Sequence, residues 1–229
     1  MHTIYSYDGT ATVPAVLKRA KRNGLDVIAI TDHDEIRGAL LAEQFAPQFG
    51  LEVIPGVEIT TAEGDLLALG IHKLVPAGQT LIETLVQVGE LGGYCIAPHP
   101  MASGMGMKSL NFYSIRKAVC HPEAGRILLG IETHNATALD RESAMFAEML
   151  AHRTGLARTG NSDAHTLDAI GLGATEFPGQ SAADLLLALQ QGTTTIKKSK
   201  SWNVVRILGG WAWSYLLSAP TRLSPAVQL

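Results

Sequence analysis

Six short apolar runs recur along the chain: LDVIAIT (25 to 31), LEVIPGVEIT (51 to 60), DLLALGI (65 to 71), GYCIAP (93 to 98), RILLGIE (126 to 132) and GLARTGNS (155 to 162). Each is bounded by glycine, proline or charge and is short for a buried helix, which predicts strands. Helical spacing lies between several of them. Ile36, Leu40, Leu41 and Phe45 share a face in 35 to 49, and Ile82, Leu85, Val86 and Gly89 share one in 80 to 91. A further helical face is predicted at Met145, Phe146, Met149 and Leu150, and Gly24, Gly50 and Gly92 stand where helices should stop. Strand, helix, strand alternation implies right-handed crossovers and a largely parallel α/β sheet, either open or closed into a barrel. No repeat or low-complexity linker interrupts it, so residues 1 to 198 are expected to form one domain and 199 to 229 a tail.

Composition adds exclusions. With 229 residues, 46% hydrophobic and 17% charged, the chain has enough apolar material for a substantial core. A net charge of −3 gives no global electrostatic reason to expect a long nucleic acid. Cys95 and Cys120 form no CxxC and are expected to be buried packing thiols, which suits a reducing cytoplasm. The N-terminal residues lack the basic and apolar segments of a secretory signal. The longest apolar stretch, ILGGWAWSYLLSA (207 to 219), is too short to span a bilayer as a helix, so no transmembrane span is expected.

The candidate chemistry clusters at strand ends. His33 follows VIAITD, Glu58 follows VIPGV, His99 follows YCIAP, and Asp163 with His165 follows LARTGNS. In a parallel α/β barrel such ends converge on one face, where active sites are assembled. Imidazoles and carboxylates without cysteine suit divalent ions such as Zn²⁺, Mn²⁺ or Fe²⁺, two or three of them, with Mg²⁺ also compatible. Taken singly, Asp8-Gly9 reads as a turn, Thr31-Asp32 as a helix cap, Glu58 as a solvated strand end and His99 as a loop histidine. Those readings leave their shared placement unexplained. His121, His134 and His152 are read as ordinary core or surface residues, and Glu132 as a support of the barrel rather than a metal ligand.

Together, HTIYSYDG, AITDHD, PGVEIT, APHP, GIE and GNSDAH, in order over roughly residues 1 to 197, resemble the PHP (polymerase and histidinol phosphatase) superfamily, in particular its small stand-alone metal-dependent phosphoesterases. The resemblance implies a distorted seven-stranded (β/α) barrel with a three-metal centre. It also implies His2, Glu58 and Asp163 around one metal, Glu58 bridging to a second held by His99, and Asp8, His33 and His165 around a third. Asp32, His33, Asp163 and His165 are then the residues expected to act in catalysis, with Asp32 orienting the centre from behind.

Two departures from the family pattern stand out. The first motif is normally histidine, any residue, histidine, whereas Met1 leaves His2 as only the second of the pair. That predicts a natural frame beginning upstream, with a histidine two codons before His2. The strand after Glu58 usually offers a histidine, and here Asp65 stands in its region, with His72 as the alternative ligand. An oxygen ligand at 65 would shift preference towards Mn²⁺ or Mg²⁺.

The implied reaction is hydrolysis of a phosphate ester by a metal-activated water, on a small phosphorylated substrate or short oligonucleotide. The competing readings are an amidohydrolase-like C–N hydrolase and a degenerate module serving as a non-catalytic scaffold. In the tail, Lys197, Lys198, Lys200 and Arg206 accompany Trp202, Trp211 and Trp213. Such a segment marks a membrane or partner surface, or packs on the barrel. The pair Gly209-Gly210 weighs against a long amphipathic helix and favours packing.

Overall fold

The six apolar runs form the six strands of one sheet. A computed structural model describes residues 1–102, 107–137, 141–198 and 204–222. In chain order the elements are α1 (Val13–Arg22), β1 (Val27–Ile30), α2 (Arg37–Phe49), β2 (Glu52–Thr60), β3 (Asp65–Leu69), α3 (Leu81–Glu90), β4 (Tyr94–Ala97), α4 (Phe112–Val119), α5 (Ala124–Ile127) and β5 (Leu128–Asn135). They continue with α6 (Arg141–Thr154), β6 (Ala157–Asn161), β7 (Gly173–Glu176), α7 (Ala182–Gln191), β8 (Thr195–Lys198) and α8 (Val204–Arg222).

The strands lie in sequence order, β1 to β6. Pairing is parallel for β1/β2, β4/β5 and β5/β6, and antiparallel for β2/β3 and β3/β4, so β3 alone in this sheet runs against the others. A turn at 61–64 joins β2 directly to β3, with Glu58 opposite Leu67 and Thr60 opposite Asp65. The first residue of β3 therefore lies at the same end of the sheet as the last residues of its neighbours.

Both sheet faces are covered. On the outer face, Ile30, Ile59, Leu66, Ala68, Cys95 and Ile131 pack in one core with Leu17 of α1, Ala42 of α2, Leu85 of α3, Ile115 of α4 and Leu150 of α6. Each fully buried leucine or isoleucine there contributes about 1.5–3 kcal/mol of transfer free energy. On the inner face, Ile54, Leu67, Leu69, Tyr94 and Ile96 pack with Leu189 of α7. α7 touches β2, β5 and β6 together, which a flat sheet of this strand order would keep apart. The sheet is thus curled into a half-barrel, with α7 in its concavity.

Among the described residues the sheet has six strands, where seven were expected. At the place of a seventh, the Thr31 N–H donates to the Met1 carbonyl at 3.0 Å and the His2 N–H donates to that of Ala164 at 2.9 Å, so residues 1–3 bridge β1 to the segment beyond β6. The chain then turns, with the Ser6 N–H on the Thr3 carbonyl, and the bridge is too short for a ladder. β7 and β8 form a separate antiparallel pair.

Two local expectations are corrected. In α6 the buried positions are Ser143, Ala147, Leu150 and Ala151, whereas Met145, Phe146 and Met149 are exposed. Close packing selected alanine there over the larger side chains. In α2 the expected face of Ile36, Leu40, Leu41 and Phe45 does pack on the core, with Ala39, Ala42 and Ala46 more deeply buried. Cys95 is buried as expected, but Cys120 is exposed. The stop at Gly50 holds: it is left-handed at φ 62°, and its N–H closes α2 onto Ala46 and Pro47.

In the tail, α8 runs helically through Gly209 and Gly210, against the expectation that this pair would break it. Its attachment to the body includes a hydrogen bond from the Trp211 Nε1–H to the Asp8 carbonyl at 3.0 Å. Lys200 and Trp202 lie outside the described residues.

Candidate metal centre

All eight residues read as candidate ligands line or adjoin one cavity of about 470 Å³ at the end of the half-barrel. Glu58 and Asp65 reach it from diagonally adjacent positions of the β2–β3 hairpin, on the same inner side as Leu67. Asp65 was the hardest of the eight to place from sequence, because it enters from the start of a strand. The structure brings it into the cavity and leaves His72 on the surface, paired with Glu43 at 3.0 Å.

The donor atoms fall into overlapping groups. His2, Glu58 and Asp163 form one, His2, Asp8, His33 and His165 a second, and His33, Glu58 and Asp65 a third, with ligand atoms within 4.8 Å of one another in each. His2 Nε2 lies 3.2 Å from both Glu58 Oε2 and Asp163 Oδ1. His99 Nε2 lies 3.2 Å from Glu58 Oε1, so Glu58 stands between two imidazoles. Asp8 Oδ2 does the same between His165 at 3.0 Å and His33 at 3.4 Å. The His2 ring stacks on His165 and His33, with centroids 4.2 Å and 4.7 Å apart.

Electrostatics follow from this packing. Burial opposes ionisation of Glu58 and Asp8, but hydrogen bonds from His2 and His99 to the first, and from His165 and His33 to the second, hold both carboxyls well below the usual range. Burial likewise disfavours charge on His99 and His165, yet Glu58 carries the former up to about 10, and Asp163 with Asp8 carries the latter to about 9. Asp65 goes the other way: burial, then repulsion from Glu58, raises its carboxyl, and its Oδ1 is buried without a hydrogen-bond partner. Protons on imidazoles stand where cations would be at home. A buried, partnerless carboxylate oxygen facing imidazole nitrogens and further carboxylates fits divalent cations.

Supporting groups fix these side chains. Glu132 is buried between the His99 N–H, which donates to Oε2 at 2.8 Å, the Asn135 amide at 3.2 Å and the Asn161 amide. Burial pushes its carboxyl up to about 6. It is a strut for the His99 loop and lies outside the candidate groups. Asp163 receives the Thr137 hydroxyl at 2.9 Å, and its backbone N–H donates to Asn161 Oδ1 at 2.7 Å. His99 and Asp163 both hold left-handed backbone, at φ 28° and 44°. For non-glycine residues that conformation costs on the order of 1–3 kcal/mol each, so the surroundings over-determine both ligands.

Asp32 does not line the cavity and stands behind it, the position expected of a residue that orients the centre. It is fully buried, accepting the Thr3 N–H at 2.5 Å and the Thr3 hydroxyl at 2.7 Å. It anchors the segment carrying His2 and Asp8. A Cβ at Gly38 of α2 would strike Asp32 Oδ2, so only glycine allows this approach. His121 accepts the Ala124 N–H, and His152 lies in the last turn of α6. Sequence reading missed Tyr7, Met107, Thr137 and Trp211 as cavity walls. Tyr7 had a legible signal, its place beside Asp8; Trp211 had none, since it arrives from over 200 residues away.

Comparison with known proteins agrees with this geometry. A model of the PHP domain matches residues 1–158, and a model described as PHP-associated matches 142–194. The chain is 44% identical over 85 residues to an uncharacterized protein of Methanocaldococcus jannaschii, covering 37% of this chain and 50% of that one. It is 43% identical over 81 residues to a 5'-3' exoribonuclease of Haemophilus influenzae, covering 34% and 30%. It thus spans half or less of the curated relatives it matches. A two-domain protein from Bacteroides vulgatus, described as containing a predicted PHP-like metal-dependent phosphoesterase, shares the fold with a TM-score of 0.68 at 18% identity, over 95% of this chain and 68% of that one. With strand order, cavity and donor set in accord with a match over more than half its length, the chain belongs to the PHP domain family.

Proposed function

We propose that this chain hydrolyses phosphate esters, using divalent ions held by His2, Asp8, His33, Glu58, Asp65, His99, Asp163 and His165. One observation carries the reading: four imidazoles and four carboxylates, with no thiolate, converge at the mouth of the half-barrel. Carboxylates so placed repel an anionic phosphate, and cations between them reverse the local sign. Divalent ions bound there supply the Lewis acidity that polarises a phosphoryl oxygen and acidifies water.

The chain's own residues do the rest. Glu58, between His2 and His99, and Asp8, between His33 and His165, would each help hold an ion. His33 and His165 present Nε2 atoms to the cavity from either side of Asp8. Thr137 holds Asp163, Glu132 holds the His99 loop, and Asp32 holds the N-terminal segment. Residues 1–198 are read as the catalytic unit. A small phosphorylated substrate or short oligonucleotide suits a cavity of this volume, and the relative named as an exoribonuclease supports phosphoester chemistry.

Purified protein supplied with Mn²⁺, Zn²⁺, Fe²⁺ or Mg²⁺ should hydrolyse a generic aryl phosphate, and His33→Ala or Asp163→Ala should each suppress turnover strongly. Metal retention without turnover across monoester and diester panels would assign a non-catalytic scaffold instead. Turnover of cyclic amides or carbamates alone would assign C–N hydrolysis.

A further inference from the structure

Helix α8 is inside out. Among the positions of this helix whose burial is described, 209 to 220, the exposed ones are 209, 212, 213, 216, 217 and 220, one stripe at helical spacing, and the residues there are Gly, Ala, Trp, Leu, Leu and Pro. Trp213, Leu216 and Leu217 are 65%, 68% and 63% exposed. The less exposed side carries Trp211, Ser214, Tyr215 and Ser218, with the Trp211 and Tyr215 rings 5.2 Å apart and Trp211 bonded to the Asp8 carbonyl. A helix folded only for the domain would turn its leucines inward and its serines out.

Charge is distributed with the same asymmetry. Residues 1 to 184 hold 13 Lys and Arg against 21 Asp and Glu; residues 185 to 229 hold five basic residues and no acidic one. Lys197, Lys198, Lys200 and Arg206 precede the apolar stripe in sequence and Arg222 follows it. Lys197 shares an exposed ion pair with Glu176 at 3.3 Å, an interaction worth little in water.

We propose that the outward face of α8 docks on an anionic lipid surface, with Trp213, Leu216 and Leu217 entering the boundary between headgroups and acyl chains and the basic excess of residues 185 to 229 supplying the attraction to that surface. Tryptophan suits that depth, and each basic residue near an anionic surface adds attraction that salt weakens. Among the described residues no helix is long and apolar enough to cross a membrane, so the contact is with a surface. A second copy of this chain is the poorer occupant. Stable dimers bury about 800 Å² on each partner, far more than three side chains on one helix face offer.

The test uses the full chain and vesicles. At low salt the protein should co-sediment with phosphatidylcholine vesicles containing phosphatidylglycerol, and less so at high salt or with phosphatidylcholine alone. Replacing Trp213, Leu216 and Leu217 together by serine should lower vesicle affinity about tenfold or more while leaving metal uptake unchanged. Brominated lipid should also quench the tryptophan emission of the unaltered protein, a readout free of any effect of substitution on folding. Failure to sediment with anionic vesicles, full binding by the triple variant, or unquenched emission overturns the proposal. A concentration-dependent dimer abolished by the triple variant, without vesicle binding, would give the face to a second copy.

Discussion

Asp32 offers the sharpest test of how the centre is held. Its two oxygens accept the Thr3 N–H and hydroxyl in a fully buried setting. Burial raises its carboxyl, and the Thr3 hydrogen bonds offset this only in part. Removing the side chain deletes both bonds and leaves the Thr3 N–H buried without a partner. Two net hydrogen bonds at about 1 kcal/mol each, plus about 1–3 kcal/mol for the orphaned donor, predict that Asp32→Ala costs about 3–5 kcal/mol, a large part of a typical domain's stability. Asp32→Asn should cost about 1 kcal/mol or less, because its carbonyl still accepts from the Thr3 N–H and its amide can donate to the hydroxyl. Urea denaturation of the metal-free proteins measures both, and metal titration should show weaker uptake by the alanine variant, since Thr3 lies between His2 and Asp8. Unchanged stability and metal uptake in Asp32→Ala would refute the anchoring role. A stable, fully loaded Asp32→Asn protein without turnover would give Asp32 a direct part in the reaction.

Two further outcomes follow from the same geometry. Asp65→Ala should reduce metal stoichiometry while His72→Ala leaves it nearly unchanged, and Asp65→His should keep the site with altered metal preference; inductively coupled plasma analysis of dialysed protein reads all three. In the metal-free protein, His99 and His165 have raised values of about 10 and about 9, so their contribution to stability is complete below about pH 6.5 and is lost as pH rises through 9 to 10. Glu58, Asp8 and Asp163 are lowered, so theirs is present above about pH 4 and is lost as pH falls further. Melting temperature in chelator should therefore peak between about pH 4.5 and 6.5, and a rise from pH 6.5 to 9 would contradict this balance.

The strands and most of the candidate ligands were legible because both are written locally. An apolar run bounded by glycine or proline declares a strand, and a histidine or carboxylate just beyond it declares a position at the sheet's end. Strand direction is not local, and the rule of ligands at C-terminal ends holds only for parallel strands, which is why Asp65 was ambiguous until β3 proved reversed. The α6 face was misread because size was weighed above fit: Ala147 and Ala151 allow an approach that Met145 and Met149 would block. Glu132, Asn161 and Thr137 are ordinary residue types whose work is defined entirely by partners distant in sequence. Residues 1–3 bridge β1 to the segment beyond β6, a fact of pairing that no periodicity carries.

The β2–β3 hairpin bears on the order in which the centre comes together during folding. Glu58 and Asp65 are seven positions apart and meet through a tight turn, whereas His2 must find Asp163 across 161 positions and Asp8 must find His165 across 157. Loop-closure entropy grows with the logarithm of separation, so the long contacts cost about 3 kcal/mol more to close than the short one. Two carboxylates are thus brought close early, by local structure that also sets their register, while the imidazoles that neutralise them arrive later, His33 with β1, His99 with β4 and His2 with the N-terminal segment. Until then the hairpin carries unrelieved negative charge at its tip. A divalent ion captured at that stage would favour closure of the remaining chain around it, so refolding should be faster with Mn²⁺ present from the start than when it is added after the chain has collapsed.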